Sequence, residues 1–336
     1  MLTSEQHIQI EAAAKLLRKG GVVAIPTETV YGLAADASNI TALKRIFTIK
    51  GRPADHPLIV HVADEAQLEH WAREIPESAR ILARQFWPGP LTLILPRSKH
   101  ASDIITGGQE SIGLRIPDHP VALALLRAMG PGAGLAAPSA NRYGRISPTT
   151  AQHVRDELGD TVDMVLDGGN CQVGLESTII SCLGDSVTLL RPGGIPLAAI
   201  EEVLQRQVEI IDSTTSKTRV SGGKLSHYAP LTPLEIHTRA SLWQRAEGLA
   251  EQGWRVAIVE WSSPDEVHLS DKMTPAHAAI LRTTMPANAA AYGQRLYATL
   301  RLLDHSNFDH LLVEAVPQTS DWLAVADRLK RASYQD

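Results

Sequence analysis

The sequence predicts an α/β protein with a mixed, twisted sheet and two domains. Short apolar runs typical of buried strands alternate with amphipathic helical stretches, which is the pattern of an α/β fold. The runs are irregularly spaced, which favours a mixed sheet over a regular array of parallel βαβ units. The 336 residues are enough for about two domains, and the composition changes after a segment rich in Ser, Thr, Gly and Pro at 208–233.

The first 207 residues carry most of this alternation. Apolar residues between 8 and 17 fall close to one helical stripe, which Gly20 and Gly21 end. Further helices are predicted near 39–47, 66–73, 77–86, 119–129, 148–158 and 197–207. Strands are predicted at 22–26, 58–62, 91–95, 112–116, 164–167, 177–180 and 187–190.

A second domain is predicted after the segment 208–233, which has little periodicity and is interpreted as a linker. The remaining chain, 234–336, contains four of the six tryptophans. Its pattern predicts a small α/β domain with strands at 254–261 and 310–316 and helices at 287–303 and 322–331.

Charge and composition exclude several classes of protein. With 32 basic and 37 acidic residues the net charge is −5, which excludes a polybasic nucleic-acid binder but leaves room for a local basic groove. Cys171 and Cys182 do not have the number or spacing of a disulfide scaffold or zinc ribbon. The N-terminus lacks the apolar stretch of a signal peptide, and no apolar run is long enough to span a membrane. We therefore expect a soluble, cytoplasmic protein.

Three familiar site motifs are poorly supported. GAGLAA at 132–137 has dinucleotide-site spacing but follows a helix-like stretch instead of a strand. GGKLS at 222–226 lacks the upstream glycine of a P-loop, and no HExxH pair is present. A nucleotide site in this chain is therefore expected to be of another kind.

The stronger signal lies at 25–57. IPTETVYGL follows a predicted buried strand, where its hydroxyls could bind a small polar ligand, although an ordinary turn would look the same. Lys50 and Arg52 in KGRP flank a glycine at the end of a helix. They suit a phosphate clamp, and equally a helix C-terminus whose dipole they complement.

Further polar residues support a phosphate ligand. APSANRYGRISPTT at 137–150 contains Ser139, Asn141 and a predicted helix start at Ser147, and a helix N-terminus is a natural phosphate site. Arg115 in an apolar strand needs an anionic partner, and Arg191 precedes a Gly-Gly turn. Each arginine alone could be a structural ion pair, but together these residues favour a nucleotide site without a P-loop.

The order of these motifs resembles the YrdC/Sua5 family. The matching segments are PTETVYGL, KGRP, LIVHVA, WPGPLTLIL, LRIPDHP, APSANRYGRISPT, ESTII and LRPG. HYAP at 227–230, followed by a second α/β domain, is similar to the longer Sua5 type, and the resemblance covers essentially the whole chain. It implies a YrdC-like twisted sheet with a large, electropositive open cavity, plus a smaller Rossmann-like Sua5 domain.

The resemblance implies a nucleotidyltransferase. It would condense L-threonine, bicarbonate and ATP to L-threonylcarbamoyladenylate with release of pyrophosphate, for N6-threonylcarbamoyl modification of adenosine 37 in tRNA. Mg²⁺ would accompany ATP, with no tightly bound protein metal site, and downstream tRNA threonylcarbamoyl-transfer proteins would take the product. Such chemistry needs positioning and charge compensation more than acid–base groups.

Site residues are carried over by position in the matching motifs. The implied catalytic set, with the spacing KxR…SxN, is Lys50, Arg52, Ser139 and Asn141. The implied ATP contacts are these four with His56, Ser111, Ser147, Arg191 and Tyr228. The implied L-threonine contacts are Thr29, Tyr31, His61, Arg115, Ser177 and the backbone of Ala137. Arg115 would pair with the threonine carboxylate, and Tyr228 would make the linker a lid over the nucleotide.

Three segments depart from the family pattern. His56 replaces a common Asn, SGGKLS at 221–226 lacks a stiffening Pro and an aromatic residue, and PQTSDWLAVADR replaces a glycine-containing tail motif. The extra glycine implies a looser lid, because glycine loses more conformational entropy on ordering.

Two other functions share the predicted fold. An RNA-binding module could use the same positive cavity, but the net charge of −5 means that any tRNA binding should be weak and should fall steeply with salt. A transferase that uses carbamoyl phosphate is the other alternative, although its relatives usually carry further domains that this sequence lacks.

Overall fold

A computed structural model describes residues 2–334 except 185, 212–217, 221–226 and 262–278. The chain forms two compact units. The larger unit contains Met1–Tyr143 and Ser147–Gly223, and the smaller unit contains Gly144–Ile146 and Lys224–Asp336. The boundary at 223/224 falls inside the predicted linker, and the α/β class is confirmed in both units. No described helix has the length and apolar character needed to cross a membrane.

The described part of the larger unit contains a mixed sheet of ten strands in the order β10-β9-β8-β4-β5-β3-β6-β2-β1-β7. The pairs β1–β7, β3–β5, β4–β8 and β9–β10 are parallel, and the other neighbours are antiparallel. The strands are β1 Val23–Ile25, β2 Gly32–Asp36, β3 Ile59–His61, β4 Leu91–Pro96, β5 Ser111–Arg115, β6 Leu135–Ala136, β7 Met164–Val165, β8 Thr178–Ser181, β9 Thr188–Arg191 and β10 Glu209–Ile210.

Burial of the sheet explains which strands the sequence reveals. Every residue of β1, β5 and β8 is buried, and the apolar residues among them form the short runs that the sequence shows. The strand β2 was not predicted, because GLAAD contains residues of low strand propensity. It forms by antiparallel pairing with β1, where Val23 opposes Ala34.

Most helices of the larger unit lie where the sequence predicts them. Asn39 caps α2 through a hydrogen bond from the Ala42 amide at 3.0 Å, and Gly51 ends this helix with φ of 62°. Residues from α1, α6 and β1 share one apolar core cluster, and residues from α2, α4 and the central strands share another. The helices are α1 Ser4–Arg18, α2 Ile40–Lys50, α3 Leu68–Trp71, α4 Glu77–Phe86, α5 Asp103–Thr106, α6 Pro120–Met129, α7 Ala151–Leu158 and α8 Leu197–Leu204.

One predicted helix start is wrong. The helix α7 begins at Ala151 instead of Ser147, and its cap is Thr150, whose hydroxyl accepts from the His153 amide at 3.1 Å. The Ser147 hydroxyl donates to a buried carboxylate in the folded chain and is therefore not available as a cap. A phosphate site built on a helix N-terminus at Ser147 is thus not formed.

The described part of the smaller unit contains a parallel sheet in the order β11-β14-β12-β13. Leu242 and Leu249 of α9 pack against Val256, Ile258 and Leu312 of the sheet. The sequence predicted β12, α10, β14 and α11 but missed β11, α9 and β13. The elements are β11 Leu234–His237, α9 Arg239–Glu251, β12 Val256–Glu260, β13 Ile280–Thr284, α10 Ala289–Asp304, β14 His310–Glu314 and α11 Leu323–Ala332.

The short segment Gly144–Ile146 belongs to the smaller unit by its contacts. Arg145 Nη2 lies 3.0 Å from Asp304 Oδ2, and the Ala229 amide donates to the Gly144 carbonyl at 2.9 Å. Arg301 donates to the Ile146 carbonyl. Three residues in the middle of the predicted phosphate motif therefore belong to the smaller unit.

Candidate active site

A buried polar turn joins β1 to β2. The Thr27 hydroxyl donates to the Val30 carbonyl at 2.6 Å and lies 2.8 Å from the Thr29 hydroxyl. Thr27, Glu28 and Thr29 are all buried, with exposures of 2%, 5% and 1%. Because buried polar side chains are costly unless they are paired, this turn is a strong candidate for a functional site.

Arg115, at the end of β5, extends to this turn. Its Nη1 donates to Thr29 Oγ1 at 2.9 Å and its Nε donates to the Gly89 carbonyl at 3.2 Å. Its Nη2 lies 2.6 Å from Glu28 Oε1, and both side chains are about 5% exposed. The anionic partner expected for this buried arginine is therefore present as Glu28. Glu28, Thr29, His61 and Arg115 are called the Arg115 cluster below.

His61 completes this cluster as a neutral ring. In the sheet it stands opposite Arg115 of β5 and Leu135 of β6. Burial, and then the charge of Arg115, lowers the pKa of His61 to about 3. Ala137 lies nearby in the sheet, and its amide donates to the Ile59 carbonyl at 3.1 Å. The cluster thus pairs one cation with one carboxylate and adds a neutral ring.

Tyr31 has a supporting role. Its hydroxyl donates to the Gly169 carbonyl at 2.8 Å and accepts from the Gly168 amide at 3.1 Å. Burial raises the pKa of Tyr31 well above its usual value, so the hydroxyl stays protonated. Tyr31 therefore holds the turn against the loop at 168–169.

Ser177 lies at a junction of neighbouring strands. Its hydroxyl lies 2.8 Å from that of Thr92 on β4. Arg191 Nη2, from β9, donates to the Ser177 carbonyl at 2.8 Å and to its hydroxyl at 3.1 Å. Ser177 and Arg191, predicted for different ligands, are thus in direct contact.

Lys50 organises a second cluster at the end of α2. Its Nζ donates to the carbonyls of Ser139 and Asn141, both at 2.6 Å, and its own carbonyl accepts from the Tyr143 amide at 2.7 Å. Burial, and then the charge of Arg52, lowers the pKa of Lys50 well below its usual value. Lys50, Arg52, Ser139 and Asn141 are called the Lys50 cluster below.

Glu176 and Ser147 add a buried hydrogen bond to this region. The Ser147 hydroxyl donates to Glu176 Oε1 at 2.6 Å, and both residues are buried. Glu176 acts electrostatically on Lys50 and opposes the lowering of its pKa. The Lys50 cluster therefore has a carboxylate within electrostatic range.

Three further residues predicted to contact ATP are His56, Ser111 and Tyr228. His56 is half-buried, with its ring 5.5 Å from that of Tyr143 in an edge-to-face arrangement. Ser111 is buried at the start of β5. Tyr228 belongs to the smaller unit, where its ring stacks on Tyr297 at 5.7 Å and lies 5.0 Å from the Arg328 guanidinium. Its proposed place over a nucleotide stays a prediction.

Part of the predicted linker is bound to the larger unit. Arg219 Nη1 lies 3.1 Å from Asp55 Oδ2, and its Nη2 donates to the Gly107 carbonyl at 2.6 Å. Val220 is buried in a cluster with Ile94, Ile179 and Leu190. The glycine-rich segment 221–226 that follows lies outside the described residues.

Sequence reasoning missed Glu28, Thr92 and Glu176. Glu28 and Glu176 stand next to predicted site residues inside PTETVYGL and ESTII. A carboxylate in an otherwise uncharged, buried motif is the signal that could have identified them. Thr92 lies in an apolar strand and carries no comparable signal. Among the described residues, no three His, Cys, Asp or Glu side chains converge as a metal site.

Two family models match the chain. Sua5_yciO_yrdC, described as telomere recombination, matches residues 15–193. Sua5_C, described as the C-terminal domain of threonylcarbamoyl-AMP synthase, matches residues 195–333. The matches divide the chain between β9 and α8 and together cover nearly all of it.

Full-length relatives and a solved structure are also similar. Threonylcarbamoyl-AMP synthase of Bacillus subtilis is 42% identical, over 97% of this chain and 93% of the relative. The enzyme of Pyrococcus abyssi is 38% identical, over 97% and 94%. The crystal structure of P. abyssi Sua5 complexed with L-threonine superposes with a TM-score of 0.86 at 38% identity, covering 97% of this chain and 94% of that one. The similarity therefore extends over both units.

Proposed function

This chain belongs to the Sua5/YrdC family in its longer, two-domain form, and we propose that it makes L-threonylcarbamoyladenylate from L-threonine, bicarbonate and ATP. Pyrophosphate is the second product, and the adenylate serves N6-threonylcarbamoyladenosine formation in tRNA. The observation that carries this proposal is the pair of buried clusters at Arg115 and Lys50, in a fold that binds L-threonine in a relative with a TM-score of 0.86.

The Arg115 cluster is proposed to bind L-threonine. Its guanidinium is the natural partner of the substrate carboxylate, because two parallel hydrogen bonds can join the groups. Thr29 and Ser177 offer hydroxyls, Ala137 offers its backbone, and Tyr31 supports the turn. His61 stays neutral beside Arg115 and therefore adds no second cation to this subsite.

The Lys50 cluster is proposed to bind the phosphates of ATP. An ammonium group has three hydrogens, and the Ser139 and Asn141 carbonyls accept two of them. The third is left for a phosphate oxygen. Burial disfavours the charge on Lys50, whereas a polyanion bound beside it would favour that charge. We place Arg52, Ser147 and Arg191 on the same nucleotide, with His56, Ser111 and Tyr228 as further contacts.

The reaction needs two bond-forming steps. The threonine amine joins the carbon of bicarbonate to give a carbamate, and water leaves. A carbamate oxygen then attacks the α-phosphorus of ATP, and the bond to the β-phosphate breaks. The leaving pyrophosphate carries the developing charge, which Lys50 and Arg52 compensate and which Mg²⁺, entering as part of the ATP substrate, would also neutralise. The site contributes mainly by positioning the reactants.

A single reaction tests the proposal. The protein is incubated with ATP, Mg²⁺ and bicarbonate, with and without L-threonine, and both pyrophosphate and the adenylate mass are measured. Threonine-dependent pyrophosphate and a threonylcarbamoyl-AMP mass are expected. Pyrophosphate release that ignores threonine, or that carbamoyl phosphate alone drives, contradicts the substrate assignment. We expect transfer proteins that act on tRNA to consume the product in the cytoplasm.

A further inference from the structure

Glu28 is a buried carboxylate to which the proposed mechanism gives no task. It is 5% exposed, and its backbone carbonyl accepts from the Val173 amide at 2.7 Å, which fixes its position in the turn. Neither of its side-chain oxygens has a hydrogen bond of good geometry among the described residues. Its charge is compensated by an ion pair with Arg115, whose Nη2 lies 2.6 Å from Oε1. A carboxylate that keeps hydrogen-bonding capacity in a buried site is costly unless a ligand uses it.

Charge balance shows which kind of ligand would do so. Without ligand, Arg115 and Glu28 neutralise each other. A simple carboxylate that binds to Arg115 would leave the buried site with one excess negative charge. An α-amino acid also brings an ammonium group within a few ångströms of its carboxylate. The set of two cations and two carboxylates is then neutral again.

The other titratable groups around the pair do not supply this cation. Burial lowers the pKa of His61, with a further contribution from Arg115, and also lowers the pKa of His119, so both rings are neutral at pH 7. Burial raises the pKa of Cys171 to about 12, so this residue stays a thiol. Glu28 and Arg115 also act on it electrostatically. The excess charge is therefore left for the ligand to balance.

We propose that Glu28 binds the α-ammonium group of the amino-acid substrate while Arg115 binds its carboxylate, so that the pair selects amino acids over simple carboxylates. This inference rests on the proposed function, because it assigns the amino acid to the Arg115 cluster. The contact also orients the nitrogen, which bonds to the bicarbonate carbon after the ammonium group has passed one proton to the Glu28 carboxylate. Glu28 would thus be a substrate-binding and specificity-determining residue.

The experiment compares two probes in the full chain by titration calorimetry. The first is L-threonine, and the second is (R)-3-hydroxybutyrate, which keeps the carboxylate, hydroxyl and methyl groups but lacks the amine. In Glu28→Gln we expect L-threonine to bind about 10- to 100-fold more weakly, because a charge-assisted hydrogen bond is lost. We expect (R)-3-hydroxybutyrate to bind more tightly, since its charge now balances Arg115. The ratio of the dissociation constant of (R)-3-hydroxybutyrate to that of L-threonine should therefore fall at least tenfold.

Control variants separate this role from a structural one. If Glu28 acts only by holding Arg115, Glu28→Gln weakens both probes equally, and an unchanged ratio overturns the inference. Glu260→Gln, which neutralises a buried glutamate paired with Arg282 in the smaller unit, should leave the ratio at its wild-type value.

A kinetic measurement gives a second readout. Glu28→Gln should raise the KM for L-threonine about tenfold or more and leave the KM for ATP within about twofold, and Glu28→Asp should recover part of the loss. Equal changes in both KM values contradict the inference. Failure of the wild-type protein to bind L-threonine would instead contradict the proposed function.

Discussion

The Arg115 and Lys50 clusters hold buried cations in different ways. Arg115 is paired with a carboxylate and a hydroxyl of one turn, so its charge is compensated by side chains. Lys50 donates to two backbone carbonyls, which carry only partial charges, and its pKa is lowered. In the proposed function, the first cluster exchanges one anionic partner of Arg115 for another. The second cluster holds a loop, and the phosphates of ATP would favour the charge on Lys50.

The largest effect is expected from removing Lys50. Lys50→Ala removes the proposed phosphate donor and both hydrogen bonds that hold the loop at 139–141. The value of kcat/KM for ATP should therefore fall roughly 30- to 1000-fold, which corresponds to a loss of about 2–4 kcal/mol of transition-state stabilisation. Steady-state pyrophosphate release measures this. The matched control is Lys44→Ala on the exposed part of the same helix, which should stay near wild type. Near-wild-type turnover of Lys50→Ala would contradict the assignment of Lys50 to the phosphates of ATP.

A smaller effect, on the other substrate, is expected from removing Arg115. Arg115→Ala should raise the KM for L-threonine about 10- to 100-fold, because the carboxylate loses charge-assisted bonds. It should also lower stability, since Glu28 is left buried without its cation. The double variant Arg115→Met with Glu28→Gln removes both charges and should recover much of the lost stability in a urea titration. An unchanged KM in Arg115→Ala would contradict the carboxylate assignment.

The pH dependence of stability tests how strongly the Arg115 cluster disfavours a positive charge on His61. Its pKa is about 3 in the folded protein and near 6.5 when unfolded, so only the unfolded chain binds the proton between these values. The free energy of unfolding should therefore fall by about 1.4 kcal/mol per pH unit as the pH drops below about 6.5. Urea titrations at pH 7 and pH 5 should show a loss about 2 kcal/mol smaller in His61→Gln than in wild type. Equal losses in the two proteins would show that His61 is protonated when folded.

The smallest effect is expected at Arg219. Its ion pair with Asp55 is half-exposed, with side-chain exposures of 48% and 61%. Such pairs contribute about 0–1 kcal/mol, so Arg219→Ala should change kcat/KM for ATP by less than about fivefold. A loss of a hundredfold or more would show that this segment is part of the ATP site. The segment around Arg219 would then be a third functional region beside the Arg115 and Lys50 clusters.

Most elements with strong local signals were predictable from sequence. The apolar runs of β4 and β5 and the periodic helix α4 match the predicted positions closely, because burial fixes their patterns. The strands β2 and β6 were missed, since β2 contains residues of low strand propensity and β6 has two residues, and β13 was missed because it is only partly buried. Pairing with neighbouring strands forms them, and no local pattern records that pairing.

The sequence by itself determined the α/β class, the two-domain family and the need of Arg115 for an anionic partner. Only the tertiary structure decided that this partner is Glu28, that Ser147 binds Glu176 instead of capping a helix, and that Lys50 holds two carbonyls. The physical reason is sequence separation. Arg115 and Thr29 are 86 residues apart and Lys50 and Ser139 are 89 apart. A local pattern reports that a polar group is buried, whereas folding decides which distant group satisfies it.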